Sequence, residues 1–190
     1  MKSLYLGLLM FFVSNSLLYS QNDVRIGMYV WMTKNLDVST FRNGDPIPEA
    51  KSEKEWENAA KNQKPAWCYY DNDVQNGKKY GKLYNWYAVN DSRGLAPKGY
   101  HIPSESEWNL TIKFNYSLFN GLPGGLRYHA GSFEGIGDYC KWWSSSEIFG
   151  KYTNGDKAYS FSQSYPKGKI KDDGFTDKGK GLSVRCIKSY

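Results

Sequence analysis

One segment has side chains whose types and spacing could hold a metal ion. Asp71, Asp73, Gln75, Asn76 and Gly77 place carboxylate and amide oxygens close together, in a pattern similar to a calcium-binding loop. Such a loop requires Gly at its sixth position and a bidentate Glu at its twelfth, where this chain has Asn76 and Lys82. The segment is therefore predicted to be a polar turn, and we expect no metal there.

Catalytic patterns are equally incomplete. Ser, His and Asp all occur, but no Gly-x-Ser-x-Gly sequence precedes a helix. His101 lies between Tyr100 and Ile102, just before Pro103, and is interpreted as a packed residue at a strand end. Gly124 and Gly125 lack the Lys and Ser or Thr that a phosphate-binding loop needs. We expect neither an enzyme nor a cofactor.

Aromatic residues are the remaining chemical signal, with 7 Trp, 16 Tyr and 9 Phe. Periodicity predicts burial for six of the indoles: Trp31, Trp56, Trp67, Trp86, Trp108 and Trp142. Trp142 and Trp143 would point to opposite faces of a strand, so one is expected in the core and the other towards the loops. Several tyrosines lie in Gly-rich polar segments and are expected to face water, where Tyr can stack on sugars or contact proteins.

Loops between Gly124 and Asp177 are where we expect a ligand, because binding residues concentrate on loops held by a rigid sheet. The candidate ligand-binding residues are polar or aromatic side chains within these loops. They are Arg127, Tyr128, Tyr152, Asn154, Asp156 and Tyr165.

Two helix starts would position these loops. Ser52 with Glu55, and Ser104 with Glu107, each form the pattern of a capping box, followed by Trp56 and by Trp108. Both helices are short, so each depends on burying its Trp against a sheet. Short extended segments elsewhere include 24–26, 29–32, 38–41, 67–70, 142–145, 158–161 and 182–187, while a short helix is favoured over 83–88. Helices in the first half and a meandering sheet in the second predict an α+β fold.

Composition and charge limit the function classes. The chain has 190 residues, 40% hydrophobic and 23% charged, which is typical of one folded domain. The net charge is +6, and residues 151–190 carry nine basic and four acidic residues. This tail is interpreted as a solvated loop region, although it could meet an anionic polymer. We expect no nucleic-acid partner, and the oligomeric state stays open.

Residues 1–20 have the pattern of a secretory signal peptide, in which Lys2 precedes an apolar run too short to cross a bilayer. Cleavage after Ser20 would leave a mature chain, residues 21–190, that is exported to the periplasm, the cell surface or the medium and is not embedded in a membrane. An oxidising compartment permits disulfides. Cys68, Cys140 and Cys186 allow three single pairings, and one bridge and no bridge both stay open.

Seven ordered motifs add a family resemblance: "WMTKNL", "WCYYDND", "YGKLYNWYAV", "GLAPKGYHIPSESEW", "LPGGLR", "WWSSSE" and "LSVRCIK". From Ile26 to Lys188 the chain resembles the Fibrobacter succinogenes major paralogous domain family of exported bacterial proteins. Within it, "HIPSESEW" and "SVRCIK" are similar to segments of formylglycine-generating enzyme relatives. The resemblance implies a C-type lectin-like fold, with paired terminal strands and two helices on a twisted sheet. The catalytic cysteine pair of those enzymes has no counterpart here.

The sequence thus predicts one exported domain, residues 21–190, that binds a glycan or a cell-surface polymer without chemistry of its own. Two alternatives stay open. The first is a structural or adhesive envelope protein, and the second is an enzyme of formylglycine-generating-like fold with another activity.

Overall fold

The computed structural model describes residues 23–114, 116–148, 150, 153–166 and 168–189, so the predicted signal peptide lies outside the described residues. The fold is mixed α and β, as predicted. The α-helices in this part of the chain are α1 Glu53–Lys61, α2 Val74–Tyr80, α3 Trp86–Val89 and α4 Glu105–Ile112. The strands are β1 Asp23–Ile26, β2 Tyr29–Met32, β3 Trp67–Cys68, β4 Leu83–Tyr84, β5 Tyr100–His101, β6 Gly124–Arg127, β7 Phe133–Ile136, β8 Tyr139–Glu147, β9 Lys157–Ser164, β10 Ile170–Asp177 and β11 Ile187–Lys188.

One antiparallel sheet joins the two ends of the described chain, in the order β1-β2-β11-β5. Ile187 pairs with Trp31 on one side and with His101 on the other. Beyond the strands, the amide of Leu36 donates to the carbonyl of Val184 at 2.8 Å. The expected pairing of the terminal strands is therefore confirmed.

A second antiparallel sheet has the order β8-β9-β10 and carries most of the C-terminal half. Two further antiparallel pairs, β3 with β4 and β6 with β7, complete the strand pairing of the described residues. The register of β9 and β10 shifts between Asp172 and Gly174, which marks a bulge. Asp173 lies at this bulge.

Both predicted helix starts are confirmed. The Ser52 hydroxyl accepts from the Glu55 amide while the Glu55 carboxylate accepts from the Ser52 amide, and Ser104 and Glu107 do the same. Trp56 and Trp108 are both 0% exposed. Burying a large apolar side chain completely stabilises a fold by roughly 1.5–3 kcal/mol, so these indoles hold two short helices that would be unstable alone.

An aromatic cluster connects α4 to both sheets. The Trp108 indole stacks on Phe161 with ring centroids 4.9 Å apart, and it also contacts Trp31 at 4.6 Å and Trp142 at 5.8 Å. The expectation that one of Trp142 and Trp143 points towards the loops is wrong, because both are 0% exposed. The Trp143 indole N–H donates to the Tyr84 carbonyl at 2.8 Å, since β8 is packed on both faces at this point.

Three local predictions differ from the structure. The polar segment after Tyr70 contains a 3-10 helix at Tyr70–Asn72 and then α2, which Asp73 caps by accepting from the Gln75 amide. The predicted helix over 83–88 is divided into β4 and α3. The extended segment 38–41 forms only an isolated bridge, between Thr40 and Pro46.

Candidate functional site

A polar groove of about 320 Å³ lies between the β6–β7 pair and one face of the β8–β10 sheet. Cross-strand register explains its floor. Tyr139 pairs with Ser164, Lys141 pairs with Ser162, and Ser162 pairs with Lys171. Paired residues share one face of a sheet. The lining side chains, which we call the groove residues, are Leu126, Tyr128, Tyr139, Lys141, Ser162, Ser164, Lys171, Asp173 and Lys180.

The same sheet face is closed at its other end. Trp143, Ala158 and Thr176 are buried there, and the Ser160 hydroxyl lies 2.7 Å from that of Thr176. Towards the groove the side chains are polar and only partly covered, because the side chain of Lys141 is 16% exposed and that of Lys171 is 66% exposed. The groove is therefore the uncovered half of a sheet face whose other half belongs to the core.

Asp173 organises the charges of the groove. Its carboxylate lies 3.1 Å from the Lys141 ammonium and 3.9 Å from that of Lys171, and it accepts from the Ser162 hydroxyl at 2.8 Å. Lys180 lies on the opposite side, with its ammonium 4.9 Å from the centre of the Tyr128 ring. Burial and the neighbouring positive charge of Lys141 lower the pKa of Lys180. The groove thus presents fixed polar groups of both signs.

Two tyrosines supply its aromatic surface. The Tyr128 hydroxyl donates to the Glu134 carboxylate, and this hydrogen bond raises the pKa of Tyr128. The ring of Tyr139 lies against Gly135, where a Cβ atom would come within 2.2 Å of a ring carbon. Burial, reinforced by Glu134, raises the pKa of Tyr139 to about 12. Both phenols therefore stay protonated at neutral pH and are held in place by their neighbours.

Arg127 requires a correction. It is 0% exposed, although a ligand-binding residue was expected here. Its guanidinium lies 4.9 Å from the Trp56 ring centre and 4.6 Å from that of Phe133. It donates to the carbonyls of Gly131 at 2.9 Å and Ala50 at 2.7 Å. Arg127 therefore joins the β6–β7 pair to α1 and cannot contact a ligand.

The other predicted binding residues are not brought together. Tyr128 lines the groove, and Tyr165, which is 50% exposed, follows Ser164 in the turn after β9. Asn154 and Asp156 lie before the opposite end of β9, where the Asp156 carboxylate is 3.3 Å from the Lys157 ammonium. Tyr152 lies outside the described residues. The lysines, serines and Asp173 of the groove were missed, although alternation along β8 and β9 could have placed them on one face.

All three cysteines are free and buried, so none of the three pairings forms. Cys68, Cys140 and Cys186 belong to three different hydrophobic clusters of the core. Burial raises the pKa of each thiol to about 12, which makes the thiolate scarce at neutral pH. These cysteines pack as small apolar side chains. The described residues also contain no group of three or more His, Cys, Asp or Glu that could hold a metal.

His101 is half-exposed and paired rather than packed. Its Nε2 atom lies 2.9 Å from the Glu107 carboxylate and its Nδ1 atom 3.0 Å from the Ser189 hydroxyl. The order Ser–His–Glu is that of a hydrolytic triad. However, the other oxygen of Glu107 accepts from the Ser104 amide at 2.8 Å, and the Ser189 amide donates to the Gly99 carbonyl at 3.0 Å. The arrangement fastens β5 to the start of α4, and the Ser189 amide is not free to bind an oxyanion.

The fold and the groove define a mixed α and β domain with a polar, tyrosine-lined surface on a rigid sheet. Residues 24–114 match the family model of the Fibrobacter succinogenes major domain, which is the family that the motifs of the chain predicted. The groove lies beyond the matched residues. No curated protein and no solved structure gives a significant match to the chain. No described helix is long and apolar enough to cross a membrane.

Proposed function

We propose that this protein is an exported, non-catalytic binding module that holds a glycan or cell-surface polymer in the groove. One observation carries the proposal: two tyrosine rings line the same groove as hydroxyl, ammonium and carboxylate groups from three adjacent strands. A sugar ring has apolar C–H faces and a rim of hydroxyl groups. Tyr offers a flat apolar surface with a polar edge, and Ser, Lys and Asp supply donors and acceptors for the rim.

Rigidity favours this function over a loop-based contact. Tyr139, Lys141 and Ser162 lie on paired strands, and Asp173 holds the ammonium of Lys141 at 3.1 Å. A ligand would meet groups that are already oriented, so little conformational entropy is lost on binding. A C-type lectin-like architecture is part of the proposal. Its support is the pairing of the terminal strands and the two capped helices that bury an indole each. The proposal that the protein is exported is supported by the signal-peptide pattern of residues 1–20 alone.

A binding screen tests the function. The mature chain is titrated with soluble glycans and cell-wall polymers, and saturable binding to at least one of them is expected. Tyr139→Leu and Tyr128→Leu should each weaken binding about tenfold, equivalent to roughly 1.4 kcal/mol. Phe175→Ala is the matched control, because Phe175 is 62% exposed on the same sheet and pairs with Tyr159 outside the groove. Absence of binding to every polymer, or equal affinity for wild type and both Tyr variants, would refute the proposal.

A structural or adhesive role is the second candidate, and exposed apolar side chains favour it. Met28 is 55% exposed, Phe114 45% and Leu118 51%. The Phe114 ring lies against Gly27, beside the β1–β2 turn. An exposed apolar patch marks a surface for association. Sedimentation at rising concentration should reveal self-association that Leu118→Asp abolishes, whereas a monomer at all concentrations would exclude this role for the patch.

A further inference from the structure

A basic cleft of about 460 Å³ lies apart from the groove. One wall is the segment Thr33–Asp37, which follows β2. The other wall is the end of α2 up to Gly81, and Asn120 and Leu122 complete the lining. None of the groove residues lines this cleft.

Positive charge surrounds the cleft without matching negative charge. Lys34, Lys78 and Lys79 line it and are exposed, and none of them has a carboxylate within ion-pair distance among the described residues. Asp37 is the acidic residue of the lining, and its carboxylate is 2.6 Å from the ammonium of Lys82. That pair is neutral as a unit. The positive charges of Lys34, Lys78 and Lys79 are therefore available to a bound anion.

A fourth cation lies behind the floor. Arg185 is 0% exposed, and within the described residues its guanidinium donates to neutral oxygens. Its guanidinium donates to Asn35 Oδ1 at 3.1 Å and to the Phe119 carbonyl at 2.6 Å. Burial lowers its pKa to about 10, so it remains charged at neutral pH. Asn35, which lines the cleft, lies directly against this charge, and a buried charge is screened less by salt than an exposed one.

The walls are fixed before any ligand arrives. The side-chain amide of Asn35 donates to the Tyr80 carbonyl at 2.8 Å and to the Ser183 hydroxyl at 3.2 Å. The Lys82 amide donates to the Leu36 carbonyl at 3.1 Å. Gly81 has φ +79, and a Cβ there would come within 2.8 Å of the same carbonyl. The two walls thus meet through contacts that only Gly permits at this point.

Helix polarity explains part of this charge. Lys78 and Lys79 lie in the last turn of α2, where the helix dipole favours cations. It does not explain Lys34 on the opposite wall or Arg185 beneath the floor. Exposed lysines on both walls of a preformed cavity, with the buried charge of Arg185 behind Asn35, favour a ligand of the opposite charge.

We propose that the basic cleft binds a sugar-sized ligand that carries an oxyanion, namely a carboxylate, phosphate or sulfate group. The lysines of both walls reach the oxyanion, and the cavity takes the ring that bears it. This site is independent of the glycan-binding groove, so either can be present without the other.

Titration followed by amide NMR shifts tests the cleft. Glucuronate, glucose 6-phosphate and glucose 6-sulfate are compared with neutral glucose. The anionic sugars should shift amides around Lys34, Gly81 and Asn120 and should bind at least tenfold more tightly than glucose. The ranking among the three identifies the oxyanion. Equal shifts with glucose, or shifts confined to the groove residues, would overturn the proposal.

Charge-removing variants complete the test. Lys34→Gln and Lys78→Gln should each weaken anion binding about threefold, and the double variant about tenfold. Lys54→Gln is the control, because Lys54 is exposed on α1 and does not line the cleft. Raising the salt concentration should weaken binding to wild type more than to the double variant. If Lys54→Gln weakens binding as much as Lys34→Gln, the effect is one of net charge and the cleft is not the site. Glycan binding by the Tyr128 and Tyr139 variants stays a separate readout.

Discussion

Replacing Arg127 by Ala separates a structural from a ligand-binding role for this residue. The side chain is completely buried, and it donates to two main-chain carbonyls, those of Ala50 and Gly131. It also lies between the rings of Trp56 and Phe133. Arg127→Ala removes all four contacts together and leaves two buried acceptors without a donor. We expect a large loss of stability.

The magnitude follows from these contacts. Each buried acceptor left unsatisfied costs about 1–3 kcal/mol. A cation contact to an aromatic ring that is shielded from water contributes roughly 2 kcal/mol more. Water that enters the new space would recover part of this loss. The expected destabilisation is therefore at least about 3 kcal/mol, a large share of the roughly 5–15 kcal/mol that stabilises a typical domain.

Urea unfolding followed by tryptophan fluorescence measures the change. Arg127→Lys is the graded variant. The ammonium of Lys can donate to one of the two carbonyls, but it cannot reproduce the planar fork with which a guanidinium reaches both. This variant should lose about half as much stability as Arg127→Ala. Tyr128→Leu is the matched control, because its side chain lines the groove and should leave stability within about 1 kcal/mol of wild type. If Arg127→Ala kept nearly full stability and lost only glycan binding, the structural role would be refuted.

Two further predictions concern the titrating groups. Burial opposes ionisation of Glu107, but hydrogen bonds from Ser104 and His101 outweigh burial and hold the pKa of Glu107 below its usual value. The ionised Glu107 carboxylate therefore stabilises the fold fully above about pH 4.3, and this contribution is lost as the pH falls through the lowered pKa. The stability difference between wild type and Glu107→Gln should therefore shrink on acidification, and a constant difference down to pH 2 would contradict this. Thiol titration at pH 8 should find almost no reaction in the folded protein and three thiols after denaturation, whereas a count of one would indicate a bridge.

Local signals were sufficient for the parts of the fold that depend on neighbouring residues. The two capping boxes are formed within four residues, so the starts of α1 and α4 could be predicted without knowledge of the remaining chain. Burial of Trp56 and Trp108 followed from helical spacing. The family motifs added the pairing of β11 with β2, which joins residues more than 150 positions apart.

Helix α2 could not be predicted in this way, because it depends on packing against a side chain outside the helix. It contains Gly77, a poor helix former, and begins after a polar run. In the structure the Tyr69 ring lies against Gly77 so closely that a Cβ would come within 2.2 Å of a ring carbon. Gly77 is thus the residue that lets an aromatic ring approach the helix closely.

Arg127 was misinterpreted for a related reason. Its neighbours Gly124, Gly125 and Tyr128 are typical of an exposed loop, yet the segment is a strand whose partner β7 and helix α1 enclose the guanidinium. Composition describes how polar a segment is on average, and it does not identify the side chain that turns inward. Two carbonyls, one of the nearby Gly131 and one of Ala50, 77 residues away in the sequence, make the burial of this charge tolerable.

The groove depends on the same strand register as the core. Tyr139, Lys141 and Trp143 share one face of β8, while Cys140 and Trp142 share the other. A shift of one residue would turn Lys141 into the aromatic cluster and expose Trp142, which costs far more than a hydrogen bond. Burial of the two indoles therefore fixes the position of Tyr139 and Lys141 as well. The groove is present in every molecule that has folded its core, whether or not a ligand is bound.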